Sequence, residues 1–197
     1  MIPPLQKLPL PDTLTAAGYT LYLAEGDKPE RWSPEALTAV LTQHTGRVYA
    51  AEDVVRCPNQ KPYLRDGSVQ FSVTHSGSLW MVCLAPVPVG LDLQIHKDRY
   101  SSGVAKRYFH PEELALLEAA KSSGEDLPLF FAIWCARESY AKFTGDGVSG
   151  MDKTYTTTAS PVPLYVLPFR AGYSLTLCTV LPESISFQTS KEESDPC

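Results

Sequence analysis

Two ionic residues one helical turn apart carry the most chemistry in this chain of 197 residues. They are Glu138 and Lys142, in Phe131-Ala-Ile-Trp134-Cys-Ala-Arg-Glu138-Ser-Tyr-Ala-Lys142-Phe-Thr-Gly145. An i,i+4 spacing puts both on the same side of a helix. Phe130, Ile133, Trp134 and Ala141 form a separate apolar stripe, and Gly145 supplies a C-terminal stop. A carboxylate and an ammonium fixed on one rigid helix can hold a metal ion and a phosphate together. The same spacing, met alone, also describes a solvated salt bridge.

Other residues complete a possible site. Asp92 lies in Val89-Gly-Leu-Asp-Leu-Gln94, where Leu91 and Leu93 face one way and Asp92 and Gln94 the other. A carboxylate between apolar neighbours is costly to bury unless it is paired or binds a metal. His75 closes the alternating run Val69-Gln-Phe-Ser-Val-Thr-His75, just before Ser76-Gly77. Lys61 sits in the loop segment Asn59-Gln-Lys-Pro-Tyr63. Singly, these residues read as a surface aspartate, a structural histidine and a solvated lysine.

The elements that must position these groups follow from periodicity. Tyr19 to Ala24 reads as a strand, and Ser33-Pro34-Glu35 as a helix start with Ser as N-cap and Pro at the first helical position, ending near Gly46. Residues 51–68 are loop-like. Val69–His75 alternates as a half-buried strand, with Val69, Phe71 and Val73 on one face. Leu79–Ala85 is the buried return strand. Val104–Phe109 is helical, and a second helix opens at Pro111 and runs to about Lys121. Residues 153–180 are rich in Thr, Tyr and Val and read as strands, Tyr173–Val180 most clearly. The first 18 residues are Pro-rich and weakly patterned, and the polar tail 190–197 is expected to be mobile.

Composition excludes several classes. The chain is 44% hydrophobic and 20% charged, with a net charge of −5, and its pI is near 5.4. That suits a globular core and makes general nucleic-acid binding a poor fit. Cys57, Cys83, Cys135, Cys178 and Cys197 are odd in number and contain no Cys-x-x-Cys pair. Cys83 and Cys178 sit in apolar runs, where a thiol behaves as a small hydrophobe. These features, the absence of a signal-peptide pattern, and the absence of an apolar run of roughly 20 residues lead us to expect a soluble cytoplasmic protein without membrane association.

Taken together the motifs form an ordered pattern. Lys-Pro-Tyr, Phe-Ser-Val-Thr-His-Ser, Gly-Leu-Asp and Trp-x-x-(basic)-Glu-Ser-Tyr-x-Lys-x-x-Gly follow one another over residues 59–147. In this order and spacing the chain resembles the 4′-phosphopantetheinyl transferases, and within them the larger, surfactin-synthetase-activating type. Ala105-Lys-Arg-Tyr-Phe109 and Gly172-Tyr-Ser-Leu-Thr-Leu-Cys178 support the likeness, whereas the first 50 residues resemble the family weakly.

The resemblance implies transfer of the phosphopantetheine arm of coenzyme A to a serine of an apo acyl or peptidyl carrier protein, releasing adenosine 3′,5′-bisphosphate. It implies Mg²⁺ held by Asp92 and Glu138, with Gln94 as a third ligand, and Glu138 as general base. Lys142 would contact the pyrophosphate, and Lys61, Thr74, His75 and Asp92 belong to the coenzyme A site. Arg47 and Arg56 are candidates for its 3′-phosphate. The expected fold is α+β: two similar subdomains related by a pseudo-twofold, residues 1–89 and 90–189, each a small sheet packed with helices. The active site would lie in the cleft between them, within a monomer. Two residues depart from the family pattern. Gln94 stands where a second acid is usual, and Arg137 where Lys is usual, which keeps charge but not geometry. Gln94 also leaves room for an alternative: a catalytically weak homologue that binds coenzyme A or a carrier protein.

Overall fold

The computed structural model describes residues 2–55, 61–151 and 153–181. Arg56, Cys57, Asn59 and the tail 190–197, with Cys197, lie outside the described residues. The chain is α+β. A four-stranded antiparallel sheet is built from β1 (Gln6–Leu8), β2 (Thr20–Glu25), β5 (Gln70–Ser76) and β6 (Leu79–Ala85), in the order β1-β2-β6-β5. A three-stranded antiparallel sheet is built from β7 (Val89–Ile95), β8 (Leu164–Val166) and β9 (Tyr173–Thr179), in the order β7-β9-β8. Two short strands, β3 (Val54–Val55) and β4 (Tyr63–Leu64), form a separate ribbon. The helices are α1 (Asp12–Ala16), α2 (Pro29–Thr45), α3 (Ser102–Tyr108), α4 (Pro111–Ala120) and α5 (Asp126–Thr144).

The alternating strands sort their side chains by face, and the faces set the layers. Leu21 and Leu23 of β2 and Leu79, Met81 and Cys83 of β6 meet Leu91 and Leu93 of β7 and Leu175 and Leu177 of β9 in one buried cluster between the sheets. The opposite face of the first sheet carries Tyr22, Phe71, Trp80, Val82 and Leu84, and packs on Ala36, Leu37, Val40 and Leu41 of α2. On the far side of the second sheet lies α5. A Cβ on Gly90 would stand 1.9 Å from the Ser139 carbonyl oxygen and 2.6 Å from the Phe143 nitrogen, so only glycine lets α5 lie this close to β7. A third cluster, with Phe109, Leu117, Phe130 and Ile133, joins α3 and α4 to α5. Gly145 ends α5 in the left-handed conformation at φ 85°.

Several sequence expectations need correction. Helix α2 starts at Pro29, not at Ser33-Pro34. Pro29 serves the first turn, where a missing N–H costs nothing, and Pro34 is carried inside. The early turn places Trp32 against Trp80, ring centroids 5.9 Å apart, and the Ser33 hydroxyl accepts from Trp80 Nε1 at 2.7 Å. Among the described residues, no strand occurs between 153 and 163; that segment contains a 3₁₀ turn at Thr157–Ala159. The weakly patterned N-terminal stretch holds β1 and α1. Cys83 and Cys178 are fully buried, and burial pushes both thiols up to about 12, as expected of thiols acting as small hydrophobes.

Candidate active site

The acid Asp92 points from β7 toward α5 and is buried, 1% exposed. Every polar atom of its carboxylate is engaged. Oδ1 accepts from Lys142 Nζ at 2.6 Å and from the Thr74 hydroxyl at 3.1 Å, and Oδ2 accepts from Gln94 Nε2 at 3.0 Å. The same Gln94 nitrogen donates to Glu138 Oε2 at 2.5 Å. One amide therefore bridges two carboxylates, one from each of the packed elements. Glu138 and Lys142 do not pair with each other. Both turn to β7, so the solvated salt bridge that their spacing allowed is not formed.

The electrostatics follow from this crowding. Burial, and then the neighbouring Asp92 carboxylate, push the Glu138 carboxyl up to about 8, against the opposing pull of Lys142 and Gln94. Asp92 is buried and Glu138 half-buried, and Lys142 is bonded to Asp92 alone, so ionising both acids would leave negative charge that this ammonium does not neutralise. Lys142 remains 31% exposed in its side chain. It can therefore exchange Asp92 for an incoming anion.

Of the residues singled out in the sequence, Thr74, Asp92, Gln94, Glu138 and Lys142 come together. Lys61 and His75 stand apart. The Lys61 ammonium donates to the Val89 carbonyl oxygen, and burial pushes it down to about 8. His75 is exposed on β5, on the face opposite to Thr74. Arg47 pairs with Asp66 on the surface. Among the described residues no group of three or more His, Cys, Asp or Glu side chains gathers. Gln94 as placed turns its nitrogen to the acids; acting as a metal ligand requires the amide oxygen there instead.

Arg137 belongs to the frame, not to the site. It is 2% exposed and makes two bonds to Glu113 Oε2, from Nε at 3.0 Å and Nη2 at 2.6 Å, and a third to the Tyr155 carbonyl at 2.9 Å. Glu113 also accepts from the backbone of His110 at 3.0 Å and of Thr157 at 2.7 Å. This carboxylate ties α4, α5 and the 155–157 segment together, a role the sequence reading missed. Its signal was present: Glu113 is the third residue of a helix opened by His110-Pro111, the capping-box position.

Cavities approach the acid cluster from two sides. Two adjoining hollows of about 430 and 220 Å³ share Lys61, Pro62, Phe71 and Gly145, and the smaller one reaches Lys142. A third, of about 410 Å³, opens beside Gln94 and is lined by Lys97, Arg99, Tyr100, Phe131 and Trp134.

The α+β frame thus brings together a buried aspartate, a half-buried glutamate and a partly exposed lysine, with hollows on both sides. Comparison with known proteins makes the class specific. Residues 88–181 match the family model of the 4′-phosphopantetheinyl transferase superfamily. The chain is 27% identical over 145 residues to the 4′-phosphopantetheinyl transferase gsp of Aneurinibacillus migulanus, covering 66% of this chain and 60% of that protein. It is 38% identical over 99 residues to a putative 4′-phosphopantetheinyl transferase of Synechocystis, covering 47% and 39%. It is 27% identical over 139 residues to the 4′-phosphopantetheinyl transferase Sfp of Bacillus subtilis, covering 62% and 61%. The chain thus spans less than two thirds of the length of these relatives. Among the described residues, no helix is long and apolar enough to cross a membrane.

Proposed function

We propose that this protein transfers the 4′-phosphopantetheine arm of coenzyme A to a serine hydroxyl of an apo acyl or peptidyl carrier protein. The observation that carries the reading is the Asp92–Glu138 pair bridged by Gln94 and flanked by Lys142. Support comes from the superfamily match over residues 88–181. In this reading residues 1–89 and 90–189 are two similar subdomains, and the site lies where β5 meets β7. Every group invoked comes from one chain, which supports reading the protein as a monomer, and we take the cytoplasm as its place of action.

The donor set fits a hard dication. The carboxylates are oxygen donors that outnumber the neighbouring ammonium once both are ionised, and Mg²⁺ needs only one or two of them beside substrate oxygens and water. Asp92 and Glu138 would hold it, with Gln94 turning its amide oxygen inward. When bound, Mg²⁺ neutralises charge on the pyrophosphate oxygens. Lys142 leaves Asp92 for the same pyrophosphate, which is catalysis by position and charge. Lys61, which lines both of the paired hollows, would supply a further positive contact to coenzyme A, and His75, exposed on β5, a polar one. The carrier's serine enters from the Gln94 side. Glu138 would take the proton of that hydroxyl, a role that needs its carboxyl ionised, the form that a bound cation favours. The serine oxygen bonds to the β-phosphorus, the bond to the bridging oxygen breaks, and adenosine 3′,5′-bisphosphate leaves.

Gln94 favours one second reading. A neutral amide where a third acid would strengthen cation binding suits a homologue that binds coenzyme A or a carrier protein without efficient turnover. Incubation with coenzyme A, Mg²⁺ and an apo-carrier, followed by mass spectrometry, separates these readings. A phosphopantetheine mass gain on the carrier is the expected result. Binding without mass gain supports the second reading, and free phosphopantetheine without carrier labelling means hydrolysis and defeats both. Glu138→Gln should lower transfer by on the order of 10²-fold or more while sparing coenzyme A binding.

A further inference from the structure

We infer that Thr74 is a positioning residue that fixes the rotation of the Asp92 carboxylate; this rests on the metal-holding role proposed for Asp92 above. The inference starts from the seam between the two sheets. Every second residue of β5 from Ser72 onward carries a hydroxyl, and each accepts a backbone N–H from β7. Leu91 donates to Ser72 at 2.9 Å, Leu93 to Thr74 at 3.2 Å and Ile95 to Ser76 at 2.9 Å. Side chains thus stand where a backbone ladder would run. Satisfying these three buried or half-buried donors keeps β7 in register with β5.

Thr74 differs from its two neighbours. Its hydroxyl also bonds Asp92 Oδ1, at 3.1 Å. Direction is set by elimination: the Leu93 N–H already points its hydrogen at this oxygen, so the hydroxyl hydrogen is the one that bridges to Asp92. Thr74 is 3% exposed, and β-branching restricts its side-chain torsion.

The other donors to Asp92 have different duties. In the proposed reaction Lys142 leaves for the pyrophosphate, and Gln94 turns its nitrogen away so that its oxygen can face the cation. Thr74, which the resemblance also places in the coenzyme A site, has its hydroxyl held between a strand N–H and Asp92. It holds Oδ1 while Oδ2 stays directed at the space shared with Glu138. Residues that orient metal-binding carboxylates in this way raise affinity and activity without touching the ion.

The test compares Thr74→Val, Thr74→Ser and Ser76→Ala with the wild type. Mn²⁺ serves as the probe, with free ion read by electron paramagnetic resonance, alongside thermal midpoints and transfer kinetics. Thr74→Val and Ser76→Ala each remove one acceptor from the seam, so both lower the midpoint. Only Thr74→Val should weaken Mn²⁺ binding or kcat, on the order of 10- to 100-fold. Thr74→Ser should stay close to the wild type in both. If Thr74→Val does not fold, Thr74→Cys, which drops the γ-methyl and replaces the hydroxyl by a weaker donor, should fall below Thr74→Ser in Mn²⁺ affinity. Equal Mn²⁺ affinity in Thr74→Val and Ser76→Ala would overturn the inference, as would a Thr74→Ser protein as weak as the valine variant. A wild type that binds no Mn²⁺ would overturn the metal-holding reading itself, and this inference with it.

Discussion

Gly90→Ala tests how closely the site depends on the packing of one helix on one strand. The added Cβ would meet the Ser139 carbonyl at 1.9 Å, whereas ordinary contact begins at 3.4 Å, a shortfall of about 1.5 Å. The obstacle is backbone, so no rotamer change relieves it, and α5 must retreat from β7. Overpacking of this kind costs about 1–3 kcal/mol, and more where backbone must shift. At about 2–4 °C per kcal/mol for a chain of this size, a cost of ~3 kcal/mol lowers the midpoint by roughly 6–12 °C. The functional loss should be larger than stability alone explains. Glu138 and Lys142 ride on α5 and Asp92 on β7, so the retreat opens the 2.6 Å Lys142–Asp92 bond directly. A misplacement of about 1 Å at reacting groups is worth on the order of 10²-fold in rate. The assays are a thermal melt and carrier labelling at a temperature where the variant is folded. Adding Ser139→Ala should not rescue it, because the clash is with the carbonyl. A Gly90→Ala protein with wild-type midpoint and wild-type labelling would refute the reasoning, and so would rescue by Ser139→Ala.

The remaining expectations concern charge. Gln94→Glu puts a third carboxylate between two, so the cation-free protein should melt lower while half-saturating Mg²⁺ falls; a half-saturation point at or above wild type removes Gln94 from the metal. Lys61 is held down to about 8 against an ordinary 10.5, so its positive charge is present at pH 7 and lost by pH 9. Coenzyme A affinity should fall across that window by on the order of 10-fold, and Lys61→Arg, charged throughout, should abolish the fall; identical pH profiles by calorimetry would separate Lys61 from the ligand. Glu113→Gln leaves Arg137 buried without its counter-charge, a loss of about 3–5 kcal/mol in denaturant titration, and a loss well under 1 kcal/mol would show that the pair is not what holds the 155–157 segment.

Strands β5, β7 and β9 could be read from the chain because a period of two survives in each, and β6 because its seven residues form one unbroken apolar run after the turn. The same period put Asp92 and Gln94 on one face of β7. Helix α2 misled because Ser33-Pro34 imitates a helix start, while Pro29 does the same work a turn earlier and the burial of Trp32 rewards the earlier choice. Residues 153–163 misled because Thr- and Tyr-rich composition imitates a strand. Their anchorage is to Glu113 and Arg137 through single bonds, which leave no period. The members of the acid cluster were visible through ordered motifs, but their partners were not. Thr74 meets Asp92 across 18 positions and Gln94 meets Glu138 across 44, distances at which no local pattern speaks.

The cluster between the sheets has a consequence for how this protein is made. Its inner wall comes from β2 and β6 on one side and from β7 and β9 on the other. During synthesis the first four-stranded sheet can assemble once β6 has emerged, yet the face bearing Leu21, Leu23, Leu79 and Met81 has nothing to cover it. Leu91 and Leu93 of β7 can cover part of it soon after, but the rest waits for Leu175 and Leu177 of β9. A nascent chain stalled in that interval presents a flat apolar sheet to its surroundings, the form of intermediate that aggregates or recruits chaperones. Slow codons placed between the two sheets would lengthen that exposure. The yield of soluble protein should therefore depend on how quickly the ribosome carries the chain from β7 to β9.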